Sequence, residues 1–307
     1  MTGSYDAALG AIAVCTGSPV DLADLDGIRD EPELVAALRH EGLGLVRVSE
    51  RSRLDLAIGS AAESVALSDG RPDLILYSFE LDHREEVDVC GEAAQLADGL
   101  NLPDVPVYTI GGQRCANFGP VLRTAVAQVR AGTSTHVLCV LAHRVSVGDR
   151  RMPGDIGVMS DGAASAVVTA RPTAASGFGV RGTANPVRSE LDHMTSLHDN
   201  PGAAQAFLTG IRTASSDLVA GTSAPVSVVV TSHHRDSAVD QLHRILRVPD
   251  GLLYRGAVHD YGHCHAADPL LSLWQLQRDD AVAPGRAVLV AASASSWWAM
   301  ALLDRLT

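Results

Sequence analysis

The feature that most constrains this chain is one order of short apolar runs and helical patterns that occurs twice, on either side of a polar stretch. Runs with strand character lie at residues 10–15, 73–79, 105–110, 135–142 and 163–170, and apolar positions at helical spacing lie at 53–67, 91–100 and 116–130. A polar bridge containing Pro and Gly covers 171–200. Beyond it, helical patterns at 203–219, 236–246 and 267–277 alternate with strand patterns at 226–231, 252–257 and 286–292, and a last strand follows at 297–303. Alternation of this kind predicts an α/β protein whose sheets are covered on both faces. The repeated order predicts two related halves, 1–170 and 171–307. A pseudo-twofold between them would bring residues far apart in sequence to one interface.

Composition agrees with a large aliphatic core: 46% of the 307 residues are hydrophobic, only 4% are aromatic, and 28 are Gly. A net charge of -12 leaves no global positive field for nucleic acid or an anionic membrane, so neither is expected as a partner. All 24 basic residues are Arg. The absence of lysine excludes Schiff-base chemistry and the phosphate-binding loop that ends in Gly-Lys-Ser/Thr. A Gly-x-Gly-x-x-Gly turn after a strand is also missing, which argues against nucleotide dependence. The five cysteines, at 15, 90, 115, 139 and 264, form no disulfide framework and predict reduced thiols. With no basic segment leading into an apolar run at the N-terminus, the expectation is a soluble, cytoplasmic protein.

Cys115 lies where the 105–110 run, read as a buried strand, passes through Gly111-Gly112-Gln113-Arg114 into the 116–130 helical pattern. There Phe118, Val121, Leu122, Ala125, Val126 and Val129 share one face. A thiol at a helix N-terminus faces unpaired N–H groups and the positive end of the helix dipole, which favour the thiolate nucleophile. The alternative is a small buried hydrophobe, the ordinary role of a free cysteine.

Four motifs in fixed order now bear on Cys115. Cys115-Ala116-Asn117-Phe118 precedes an apolar helix, Asp161-Gly162-Ala163 opens a strand, Ser232-His233-His234-Arg235-Asp236 ends one, and Tyr261-Gly262-His263 follows, with His263 30 residues after His233. Ser295-Ser296-Trp297-Trp298 stands near the end. The set resembles the thiolase-fold condensing enzymes, most closely the ketoacyl-acyl-carrier-protein synthase III branch. The resemblance implies a thiolase-like fold of two duplicated α-β-α-β-α halves in five layers, and a homodimer whose sheet continues across the twofold. It also implies Cys115 as nucleophile and His233 with His263 in the places of that family's His and Asn. No resident cofactor is expected, because acyl-CoA or a phosphopantetheinyl carrier protein is the acyl donor.

Departures from the family pattern decide between chemistries. His263 replaces an Asn, and the Gly-rich oxyanion turn has become Ser293-Ala294-Ser295-Ser296. Asp268, five residues beyond His263 and followed by Pro269, is by itself a good helix N-cap. Yet Gly-His-x-x-x-x-Asp also resembles a divergent subgroup that moves acyl groups onto hydroxyls or amines with a Cys-His-Asp triad. The expected set is thus Cys115, His233 as base with His234 as its rival, His263 as donor or packing residue, and Asp268 as orienter. The function expected is acyl transfer through Cys115 to a small-molecule hydroxyl or amine acceptor in specialised metabolism. Decarboxylative condensation by Cys115, His233 and His263 is the alternative, and a non-catalytic partner subunit the third reading.

Four further residues are expected to bind substrate: Ser295, and Arg235, Arg244 and Arg247, which with Arg150 and Arg151 could form a basic patch for an acidic carrier protein. Asp161 reads as a turn former. The His259-to-His265 run, with Cys264 within it, raises zinc, but no second ligand cluster follows and no metal is expected.

Overall fold

In a computed structural model the described residues are 5, 7–80, 88–146, 151–152, 157–191, 201–220, 224–294 and 296–306. The first half contributes strands β1 (Ala8–Thr16), β2 (Ser18–Asp21), β3 (Leu45–Val48), β4 (Leu74–Phe79), β5 (Val107–Thr109), β6 (His136–His143) and β7 (Gly162–Thr169). Its helices are α1 (Pro32–His40), α2 (Arg53–Leu67), α3 (Val89–Gly99) and α4 (Phe118–Ala131). The second contributes β8 (Ser176–Ala184), β9 (Val226–Thr231), β10 (Ala287–Ser293) and β11 (Trp298–Arg305), with α5 (Pro201–Ala220), α6 (Asp236–Leu246), α7 (Gly256–Tyr261) and α8 (Asp268–Arg278).

The main sheet runs β5-β4-β6-β7-β1-β8-β11-β10-β9. Outward from the β1–β8 seam the two sides repeat one pattern: a first strand, the last strand, then a parallel set, with β4 parallel to β5 and β6, and β9 parallel to β10. The counterpart of β5 is reduced to a single parallel bridge, Val229 to Leu253. A strand was expected at 252–257. Instead Arg255 forms ion pairs with Asp236 and Asp240 of α6, and Gly256 opens α7.

Period-two burial sorts the strand side chains into layers. Leu74 and Leu76 of β4 join a core with α4 and α8, while Ile75, Tyr77 and Phe79 of the same strand pack with α2 and α3. Likewise Val288, Val290 and Ala292 of β10 face α4 and α8, whereas Leu289 and Ala291 face α5 and α6. Five layers result: α2/α3, one sheet half, α4/α8, the other sheet half, α5/α6. Both strand faces are buried, which is why the strands read as continuous apolar runs. Helix α4 approaches β11 so closely that a Cβ on Gly119 would stand 2.6 Å from Ala299 Cβ.

Three further differences from the sequence expectations stand out. The 105–110 strand is shorter and lies at the sheet edge, so Tyr108 is half exposed rather than buried. The bridge at 171–200 contains β8, which holds the halves together by pairing with β1 and β11. Its glycines hid it: Gly177 and Gly179 make room for Gln277 and Tyr5, at the cost of an apolar pattern. Finally, the antiparallel β2–β3 pair and the α1 helix between them form an extra small core with Val158 and Val258, a unit without a signal in the β/α alternation.

Candidate active site

Cys115 stands in a 3-10 turn, Arg114–Asn117, one turn ahead of α4. Gly112 at φ 88° and Arg114 at φ 50° reverse the chain between β5 and that turn. A non-Gly residue held there costs on the order of 1–2 kcal/mol, which the surroundings must offset. Two bonds do so locally: Gln113 N–H donates to Asn117 Oδ1 at 2.9 Å, and Ala116 N–H donates to the Gln113 carbonyl at 2.9 Å. The buried sulfur of Cys115 meets His263 Nε2 at 3.1 Å.

His263 arrives from the second half and is clamped by the first. Its N–H donates to the Val158 carbonyl, and its own carbonyl accepts from Ser160 N–H, both at 2.9 Å. Gly262 makes the approach feasible, since at φ 57° any Cβ there would lie 2.7 Å from Ser160 Oγ and 3.0 Å from the Val158 carbonyl. On the far side of the ring, His263 Nδ1–H donates to Asp268 Oδ2 at 2.5 Å. Burial works against a charge on this ring, but Asp268 and the Cys115 sulfur outweigh it and hold the His263 pKa well above its ordinary value.

Asp268 does not act as the N-cap expected of it. It is the first residue of α8, and its side chain turns back: Oδ1 accepts from Cys264 N–H at 2.7 Å, and Oδ2 accepts from His233 N–H at 2.7 Å as well as from His263. The carboxylate is fully buried. Burial alone would raise its pKa, yet the neighbouring imidazoles and these donors pull it down to about 2. Cys115, His263 and Asp268 therefore form one line of contacts.

His233, the expected base, is not in that line. Its Nδ1–H donates to the Gly262 carbonyl at 2.8 Å and its Nε2 lies 2.8 Å from Ser272 Oγ. With one nitrogen a donor to a carbonyl, the other accepts from the hydroxyl. Both are engaged, and burial lowers the pKa, so this ring is a neutral structural element that braces Gly262 and Asp268. His234 also fails as a base, because burial and the charge near His263 push its pKa down to about 3. Its ring meets that of His263 edge-on at 4.9 Å.

The basic residues do not gather as expected. Arg235 is half-buried beside His234 at the start of α6, while exposed Arg244 and Arg247 lie at its far end, about 14–18 Å away along the axis. Arg247 lines a groove of about 810 Å³ that includes Arg212 and Val226. Val226 begins β9 whereas the site lies beyond its end, so that groove is remote from Cys115. Arg151 is engaged inward, donating to both oxygens of buried Asp161 at 2.9 and 2.8 Å. Asp161 also accepts from Ser49 and Val145 N–H, which makes it a structural lock. Ser295 and Arg150 lie outside the described residues. In the His259–His265 run the side chains diverge, His259 pairing with Asp260 at the surface, and no described residues form a cluster able to hold a metal ion. No helix among the described residues is long and apolar enough to cross a membrane.

Sequence reasoning missed three polar residues beside the triad. Glu80 follows β4, His143 ends β6, and His265 lies two residues past His263 at φ 60°. His265 Nε2 is 3.0 Å from Glu80 Oε2, and the His143 ring stacks on His265 at 4.7 Å. The signal was available: ends of parallel strands at the carboxyl edge are where such sheets place their sites.

No family model matches the chain. Over 131 residues, 41% of this chain, it is 34% identical to the mycobacterial β-ketoacyl-[acyl-carrier-protein] synthase III of Mycobacterium avium, and that match spans only 38% of the relative's length. Solved structures match throughout. The acyltransferase ChlB3 superposes with a TM-score of 0.85 at 20% identity, covering 98% of both chains. The chain has the synthase III fold. The 3-oxoacyl-(acyl carrier protein) synthase III of Pseudomonas aeruginosa, at TM-score 0.77 and 16% identity over 98% of this chain and 99% of that one, shares it. In this fold the thiol-bearing turn and the His263 loop meet between the sheet halves.

Proposed function

We propose that this protein is an acyltransferase that takes an acyl group from a coenzyme A or carrier-protein thioester onto Cys115 and passes it to a hydroxyl or amine acceptor. The observation that carries the reading is His263 held between the Cys115 sulfur and the Asp268 carboxylate. Such a line supplies a nucleophile, a base and an orienting carboxylate, a combination that general-base catalysis needs and decarboxylation does not.

In the first half-reaction His263 holds the proton of Cys115. The sulfur attacks the donor carbonyl, a new S–C bond forms, the donor's S–C bond breaks, and the departing thiolate takes the proton from His263 Nε2. The ring is then neutral, with Nδ1–H still on Asp268. In the second half-reaction Nε2 accepts the acceptor's O–H or N–H proton as that atom attacks the acyl carbon, and the bond to Cys115 breaks. The enzyme returns with its proton on His263. Ping-pong kinetics follow.

A condensing reading draws on His234, a second imidazole against the first. Incubation with malonyl-coenzyme A and candidate acceptors separates the two. A malonyl adduct on Cys115 that keeps its carboxylate and moves to an amine or alcohol supports acyl transfer, while release of carbon dioxide with carbon–carbon bond formation overturns it. Absence of any adduct, together with intact pathway function in Cys115→Ala, would leave a non-catalytic partner subunit. Twofold pairing through the exposed β5 edge belongs to the same proposal.

A further inference from the structure

Beside Cys115 the wall contributed by the first half is polar. Glu80 and His143 end the two strands that flank one another next to β5, and His265 joins them across the interface. The His265 ring is 5.8 Å from that of His263, so the wall begins beside the ring that meets the Cys115 sulfur. Two atoms of this wall, Glu80 Oε2 and His143 Nε2, are shielded from solvent and find no hydrogen-bond partner among the described residues. Glu80 Oε2 is near His265 Nε2 but outside hydrogen-bond alignment.

Buried polar atoms in native proteins are paired, and an unpaired one is costly. An aliphatic acyl chain against this wall would leave both dry. Burial drives the His143 pKa down to about 4 and that of His265 well below its ordinary value, so both rings are neutral and each keeps a nitrogen lone pair; burial raises the Glu80 pKa. Carboxyl oxygens accept, and each neutral imidazole offers one lone pair and one N–H, so the complement of this wall is a group that can both donate and accept, such as a hydroxyl or an amine.

Building on the acyltransferase reading, we propose that Glu80, His143 and His265 select a short acyl group bearing a hydroxyl or amine two to three atoms from the thioester carbonyl. A site arranged to bond such a group discriminates against the analogue that lacks it, by at least about 10-fold.

Competition between equimolar 3-hydroxybutyryl-coenzyme A and butyryl-coenzyme A, read by intact mass on Cys115 at early times, tests this. The hydroxyacyl adduct is expected to form about 10-fold faster or more. In Glu80→Leu the ratio falls toward one, and Glu80→Gln, which keeps an acceptor oxygen, retains part of it. Equal labelling, or preference for butyryl, overturns the selectivity and leaves acyl transfer standing. A wild-type ratio in soluble Glu80→Leu removes Glu80 from the wall, and His143→Leu gives the same readout should Glu80→Leu not fold. Labelling by none of the hydroxybutyryl, butyryl and acetyl thioesters, whether presented on coenzyme A or on a phosphopantetheinyl carrier protein, overturns both readings.

Discussion

Replacing Asp268 by Asn tests the triad at the point where shape is kept and charge is lost. Three donors converge on the carboxylate: His263 Nδ1–H and His233 N–H on Oδ2, and Cys264 N–H on Oδ1. An amide can satisfy only one side. If its oxygen takes the place of Oδ2, its NH2 faces the Cys264 N–H; if it takes the place of Oδ1, the NH2 faces His263 and His233 and forces the ring into the wrong tautomer. Either way His263 loses the charge that offsets its burial, and its pKa falls from well above the ordinary value. Loss of the correct tautomer in such a triad costs about 10³- to 10⁴-fold in rate. Removing one partner of a buried ion pair costs roughly 3–5 kcal/mol of stability. The assay is single-turnover acylation of Cys115 followed by intact mass, with thermal melting as the control for folding. Folded Asp268→Asn that acylates within about 10-fold of wild type, with His233→Ala inactive, would return the base to His233 and refute the assignment.

Other consequences follow from the same contacts. Because both ring nitrogens of His233 are engaged by Gly262 and Ser272, His233→Ala should lower stability by about 1–3 kcal/mol while acylation stays within about 10-fold, measured by denaturant titration and single turnover. Gly262→Ala places a Cβ 2.7 Å from Ser160 Oγ at a positive φ; it should cost about 1–3 kcal/mol and displace His263, so activity should fall much further than stability. A protein that melts and acylates as wild type would refute the clamp. Asp268 also sets an acid limit. Its folded pKa is about 2 against an ordinary 3.8, so its contribution, roughly 2 kcal/mol, is fully present above about pH 4 and is lost as pH falls toward 2. Unfolding free energy measured across that window should drop more steeply in wild type than in Asp268→Asn.

Local physics made much of this protein legible. The strands 226–231 and helices 53–67 and 236–246 agree with the structure to the residue, because each is a self-contained apolar period bounded by turn or cap residues. Ordered motifs and the family resemblance they carry singled out Cys115, His233, His263 and Asp268 as candidates, with His233 in the role of base. Register across the interface is another matter. Whether His233 or His263 faces the sulfur depends on Gly262, Ser160 and Val158, which clamp one loop against the other half, and a one-residue choice at a strand end reverses which ring points inward. The same limit concealed Glu80, His143 and His265, ordinary polar residues in sequence that become a wall only when strand ends converge. Pattern is a property of neighbours along the chain and survives in the sequence; which ring meets the Cys115 sulfur, and which polar side chains gather beside it, are properties of packing between segments more than a hundred residues apart.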